Sequence, residues 1–137
     1  MSAGVYDHLY GVTVIDGMQI QTWSDAADAL SVTPIADNKQ FVEGIGGSVF
    51  VFTNKDAQTV VFKLLQNSDE SKKMNQIYKM QSNAKTFRKV QGTFLDTING
   101  DSLTMIDGAF VTGSPFVRGN AHNEEVWTMV FAKVERN

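Results

Sequence analysis

The chain has no cysteine among its 137 residues. That excludes a disulfide framework, thiolate catalysis and every cysteine-based zinc or iron–sulfur site. It also fits folding in a reducing cytoplasm. Proline is nearly absent, with only Pro34 and Pro115, so little of the backbone is barred from regular structure. No apolar run approaches the ~20 residues of a membrane-crossing helix. No succession of charged, apolar and small residues opens the chain, so no secretory signal is expected. Neither sign of charge dominates. The formal net charge of -3 excludes a generally basic nucleic-acid binder.

What is present is ordinary globular material, 42% hydrophobic and 20% charged. The length suits one domain over residues 1–137, able to bury roughly two-thirds of the surface that its unfolded chain exposes. Charge is uneven along the chain. Residues 1–66 hold seven acids (Asp7, Asp16, Asp25, Asp28, Asp37, Glu43, Asp56) and three lysines (Lys39, Lys55, Lys63), a balance of -4. Lys72, Lys73, Lys79, Lys85, Arg88 and Lys89 then crowd a single region. They form either a solvated helix face or a basic patch that meets an acidic patch on another copy of the chain.

The organising stretch is Gln58 to Gln81, where the β-branched and aromatic run QTVVFKLLQ leads through NSDES into KKMNQIYKMQ. Asn67 or Ser68 caps a helix there, with Asp69 and Glu70 against its positive end. Met74, Ile77, Tyr78 and Gln81 recur at i, i+3, i+4, i+7, a narrow apolar stripe suited to closing one face of a sheet. Around this stretch the chain reads as β. Met1–Leu9 is an arm or a frayed terminus. YGVTVI and MQIQTW flank Asp16-Gly17, whose tolerance of positive φ marks a two-residue type I′ hairpin. SDAADAL is a short loop or one helical turn. SVTPIAD is a broken or edge strand, because Pro34 donates no ladder hydrogen bond. KQFVEGIGGS, with three glycines, is a loop with a sharply bent tip. SVFVF and QTVVFKLLQ are expected to form a second hairpin around Asn54-Lys55-Asp56, apolar on both faces and therefore covered on both. A third hairpin runs from Thr86 through Phe87, Val90, Phe94 and Leu95 and turns at Asn99-Gly100; Asp107-Gly108 either closes a further hairpin or, the favoured reading, forms a bulge in a long strand. EEVWTMVFAKVE alternates Val126, Thr128, Val130, Ala132 and Val134 against Trp127, Met129, Phe131 and Lys133, as a strand at the centre of a sheet or at a subunit contact would.

No catalytic constellation survives inspection. Gly100-Asp101-Ser102-Leu103 spells the signature of a serine hydrolase family, but the serine follows a hairpin turn and no Asp-x-x-His pair exists. A nucleophile without its base is inert. His8 and His122 are far apart and lack ligand spacing. Gly44-Ile45-Gly46-Gly47-Ser48 is not followed by the lysine and helix of a phosphate loop. Lys85, Phe87, Arg88 and Lys89 mix base and aromatic, as an oligonucleotide-binding strand would, but in an acidic chain. The residues therefore point to a structural protein with no cofactor, no metal and no enzymatic activity.

The order of elements carries a resemblance. A short arm, an Asp-Gly hairpin, a glycine-bearing loop, the strand-to-helix passage VVFKLLQNSDESKKMNQIYKM, the Phe-x-x-x-x-Gly-Thr-Phe-x-Asp strand turning at Asn-Gly (FRKVQGTFLDTINGDSLTMIDGAFV) and a closing VWTMVFAKVE follow one another. In this the chain resembles the tail tube proteins of contractile-tailed bacteriophages. The resemblance implies an antiparallel β-sandwich or barrel with one flanking helix, built into hexameric rings that stack as a hollow tube inside a contractile sheath. It implies further partners: the sheath, the baseplate, the tail terminator, and the tape measure protein and genomic DNA in the lumen without sequence-specific binding. No membrane anchoring is expected. Its place is the virion tail, after assembly from the host cytoplasm. A conduit should not hold polyanionic DNA, so an acidic to neutral polar wall is expected, with Asp16, Gln19, Gln21, Thr93 and Asp96 as candidates. Candidate inter-subunit residues are Val5, Tyr6, Phe41 and Ile45, and Lys72 and Lys79 are candidates to face the sheath. Tubes of tailocins and type VI secretion systems share these features, and neighbouring genes separate them. From another class, the alternative is a monomeric β-barrel module binding oligonucleotide or oligosaccharide.

Overall fold

The computed structural model describes residues 11–21, 23, 29–53, 55–66, 68–98, 100–116, 119 and 124–136. The expected arm with Val5 and Tyr6, the segment 24–28, His8, His122, Asn54, Asn67 and Asn99 lie outside the described residues. Among the described residues, nine strands and one helix follow in order: β1 (Gly11–Ile15), β2 (Met18–Ile20), β3 (Leu30–Pro34), β4 (Lys39–Gly44), β5 (Gly47–Phe52), β6 (Gln58–Leu65), α1 (Asp69–Gln81), β7 (Val90–Asp96), β8 (Ser102–Phe110) and β9 (Glu124–Arg136).

Seven strands make one antiparallel sheet in the order β2-β1-β7-β8-β9-β6-β3, and β4 and β5 pair only with each other. The sheet curls into a half-barrel. Trp23, just beyond β2, forms an isolated antiparallel bridge with Leu64 of β6 and stacks on Phe62, drawing the two ends of the sheet together. Inward-facing residues line up across the strands, because directly opposed residues share a face. Phe110, Met129, Val60 and Val32 form one such row; Trp127, Phe62 and Leu30 form the next. The buried members of these rows, with Ile15, Ile20, Leu64, Met74, Val90, Met105, Phe131 and Val134, form the core, and Leu30 and Val32 pack against it half-buried.

The local chemistry explains the turns. Asp16 (φ 51°) and Gly17 (φ 79°) form the expected type I′ hairpin turn between β1 and β2. Gly100 (φ 75°) ends the β7–β8 turn, with its N–H on Asp96 O at 2.9 Å. The bulge is where the sequence puts it. Ile106 and Asp107 oppose the single residue Gln91, and Asp107 takes φ 56°. The Gln91 side chain pins it, donating to Asp107 Oδ1 and accepting from Asp107 N–H. β3 is an edge strand ending at Pro34, as expected.

Helix α1 begins at Ser68, whose Oγ accepts from Ser71 N–H at 3.2 Å, with Asp69 and Glu70 in the first turn. Met74 is buried, Ile77 and Tyr78 pack on the core, and the helix lies against β6 and β8. Gln81 is more than the end of the stripe. It donates to Gly108 O and accepts from Phe110 N–H, tying the helix to β8 beside the bulge.

Four expectations need correction. β5 and β6 do not form a hairpin across 54–56. β5 pairs with β4, while β6 pairs with β3 and β9. The glycine-rich segment read as a loop is therefore strand β4 and its turn. Phe87 is exposed and precedes β7, which starts only at Val90. Finally, the alternation of β9 breaks after Phe131. Val134 faces inward and Lys133 is exposed, because the bulge at Asp107 lies beside this point and adds twist that re-aims both strands.

Candidate assembly surfaces

The hairpin of β4 and β5 contributes nothing to the core. Every residue from Lys39 to Phe52 is exposed. Its register sets Phe41 opposite Phe50 and Val42 opposite Val49. One face thus carries Phe41, Phe50 and Phe52, and the other Val42, Val49 and Val51. Phe41 and Phe50 pack ring to ring at 5.2 Å, and Lys39 Nζ sits 5.7 Å over the Phe52 ring. The base is pinned by Thr53, which donates its N–H to Asn38 O and its hydroxyl to Asp37 O. At the tip, Ile45 is 112% exposed, flanked by Gly44, Gly46 and Gly47. Monomeric proteins rarely leave so contiguous an apolar patch in water unless something covers it.

The second surface is the outer side of the sheet. Gln19, Val14, Thr93, Thr104 and Glu135 follow one another in register across β2, β1, β7, β8 and β9. All but Val14 are exposed. The row is polar with one carboxylate. Ile106 and Lys133 pair beside it, and Lys133 Nζ lies 3.2 Å from Glu135 Oε1, so local charge balances.

The expected wall residues separate. Gln19 and Thr93 share the outer row, and Gln21 is exposed just past β2. Asp16 sits at the hairpin turn in a bidentate pair with Arg88, both distances 2.7 Å. The Arg88 hydrogen bonds hold the Asp16 carboxyl below the usual carboxylate range and raise the Arg88 guanidinium in turn. Asp96 is 3% exposed and its Oδ1 accepts from Ile98 N–H, closing the β7–β8 turn. A buried side chain lines no channel, so Asp96 leaves that set. Sequence reasoning missed its role because an acid before Asn-Gly reads equally as turn former and surface charge.

The third surface is α1. Lys72 and Lys79 are both exposed, seven residues apart and so on one helical face. Beside them, a groove of about 380 Å³ opens between α1 and the β1–β2 turn. Its floor is Ile15, Met18, Ile77 and Met80, and Lys73 and the Asp16–Arg88 pair form the rim. No pattern in the linear sequence announces it, since its two walls are more than fifty residues apart. Ser102 begins β8 opposite Leu95, in a plain ladder position. Among the described residues, no three His, Asp or Glu side chains converge as metal ligands.

No family model matches the chain, and no curated protein matches it in sequence. Solved structures match it in fold. A chain of the sheath/tube terminator of an extracellular contractile injection system, PVC, in the extended state aligns with TM-score 0.67 at 9% identity, covering 100% of this chain and 99% of that one. A chain of the tube-terminating cap of the anti-feeding prophage aligns with TM-score 0.69 at 10% identity, covering 100% and 93%. A chain of the PVC sheath–tube complex gives TM-score 0.67 at 10% identity, covering 94% and 89%. At such identities the likeness concerns the fold, and it establishes that fold from end to end: a curled antiparallel β domain closed by one helix, shared with chains of contractile injection particles.

Proposed function

We propose that this protein is a structural subunit of a contractile-tail tube, forming rings that stack into a hollow conduit inside a sheath. The observation that carries the reading is the end-to-end match in fold to a tube terminator and a tube cap. The surfaces support it. A two-sided apolar hairpin is material for contacts between subunits, and Phe41 and Ile45 lie on it. A polar, charge-balanced outer row with Gln19 and Thr93 suits the wall of a channel through which a polyanion slides without being held. Gln21 is exposed just past β2, next to this row, whereas Asp16 is held by Arg88 at the groove beside α1. Val5 and Tyr6 are assigned to contacts between copies from the sequence alone. The partners are further copies, the sheath, the baseplate and the tail terminator, with tape measure protein and DNA passing inside. A monomeric binding module is not favoured. Its proposed platform of Lys85, Phe87, Arg88 and Lys89 lies outside any strand, with Arg88 engaged by Asp16.

Negative-stain microscopy of the purified protein at rising concentration tests this reading. Hollow rings or rods are expected, and a protein that stays monomeric throughout sinks it. Two of the structural relatives are terminator and cap chains, which favours a second form of the same function, an end ring. Rods identify a repeating tube subunit; rings that never stack identify an end piece. The exposed Lys72 and Lys79 are assigned to an acidic sheath surface. Reversing both to Glu should leave rings intact and abolish co-purification with sheath. Unchanged co-purification removes the assignment.

A further inference from the structure

We infer that the tip of the β4–β5 hairpin of one copy seats in the groove between α1 and the β1–β2 turn of the next copy, with Ile45 on the apolar floor and Glu43 against Lys73. Two independent features of the tip and two of the groove support the fit. Ile45 is wholly in solvent, the most exposed large apolar side chain among the described residues. The glycines around it are not all demanded by the hairpin. Gly47 needs its positive φ of 144°, but a Cβ on Gly46 would meet nothing within 4 Å, and one on Gly44 only an ordinary contact at 3.4 Å with Gly47 O. Glycine there thins a tip that the isolated chain leaves free to be thick, which is what close approach by another body requires.

The groove matches in shape and charge. Its volume of about 380 Å³ is at the small end of ligand pockets (~300–1,000 Å³) and suits a few aliphatic side chains. The floor residues Ile15, Met18, Ile77 and Met80 are apolar, and two are methionines, which adapt to an incoming side chain. Of the cations on the rim, Arg88 is engaged by Asp16, while Lys73 is exposed. Glu43 is opposite Ser48, one pair below the tip, and is exposed as well. Hairpin tip and groove are different patches on one molecule, so the contact is head-to-tail. Repetition of such a contact gives a closed ring or an open stack, not a symmetric dimer. This inference rests on the tube reading and names the contact that would drive it.

The cysteine-free sequence makes the test direct. Variants carrying Ile45→Cys with Met80→Cys, and Ile45→Cys with Gln76→Cys, are oxidised during assembly. The expected product is a covalent ladder between copies, as disulfides form only where Cα atoms come within about 7 Å. Glu43→Lys and Lys73→Glu should each weaken assembly by about tenfold, and the double exchange should restore it. Ile45→Asp should raise the concentration needed for assembly by roughly ten- to a hundredfold while leaving the melting temperature of the monomer unchanged. Wild-type rings or rods, with no covalent ladder from either cysteine pair, overturn the docking and leave the tube reading standing. A wild-type protein that never assembles overturns both. A cross-link confined within single chains overturns the docking alone.

Discussion

Gly92 and Gly108 sit at equivalent depth on neighbouring strands, yet they tolerate change differently. A Cβ on Gly108 would meet three carbons of the buried Phe131 ring within 2.7 Å. A ring moves only as a whole, so Gly108→Ala should cost about 2–3 kcal/mol and lower the melting temperature by roughly 5–10 °C. A Cβ on Gly92 would instead meet the ends of flexible chains, Ile15 Cδ1 at 2.5 Å and Met105 Cε at 3.1 Å. Gly92→Ala should therefore cost less than Gly108→Ala in the same thermal melts. The reverse order would show that the core does not pack as described. Asp16 makes a second case. Its folded carboxyl lies below its unfolded value (~3.9). The pair with Arg88 thus adds stability above that value, and the contribution is lost as pH falls through the folded one. Asp16→Asn keeps a residue that accepts positive φ and removes the charge. Wild type should melt above this variant near neutrality, with the gap closing below about pH 4. A gap that persists unchanged in acid would mean that the ion pair contributes nothing.

The elements show how much the sequence discloses and why. Hairpins at Asp16-Gly17 and Gly100, the Ser68 cap and the Asp107 bulge were all legible, because each depends on a few adjacent residues with unusual backbone or capping chemistry. The partner of β5 was not. SVFVF and QTVVF are equally good strands separated by turn-like residues, and nothing local says that β6 prefers β9, some sixty to seventy residues away. Three glycines hid β4, whose strand character comes from Phe41 and Val42 pairing across to Phe50 and Val49. The two-faced apolar pattern was seen, but pattern alone does not separate a strand covered by its own core from one left for other copies. The helix is anchored by a contact that the pattern also concealed. Ser71 is buried, accepts from Trp127 Nε1 at 2.9 Å and donates to Glu125. Ser71→Ala takes away the acceptor that Trp127 Nε1 uses, and should cost about 1–3 kcal/mol, read as a lower urea midpoint. Glu125→Gln, which keeps an acceptor, should cost less. Equal losses would place the helix anchor elsewhere.

At the scale of the molecule, the fold divides into a core that is complete by itself and an exposed hairpin that the proposed tube assigns to contacts between copies. Asn38 and Thr53 are already joined by a hydrogen bond at 2.8 Å, so residues 39–52 can be replaced by Gly-Gly without stretching the chain. The shortened protein should melt within about 0.5 kcal/mol of wild type in stability and fail to form rings. Loss of folding on excision would show that the hairpin supports the core after all. The same division makes the free subunit perishable. Ser48 to Phe52 is an uncharged, proline-free run of high β propensity, held in the open on an exposed two-stranded ribbon. Such segments seed amyloid-like stacking. Lys39 and Glu43 on the facing strand are the only charges set against them in the ribbon. In the proposed tube, the side chains suited to joining copies in order would be equally suited to joining them without order, and rapid incorporation would protect the free chain from aggregation.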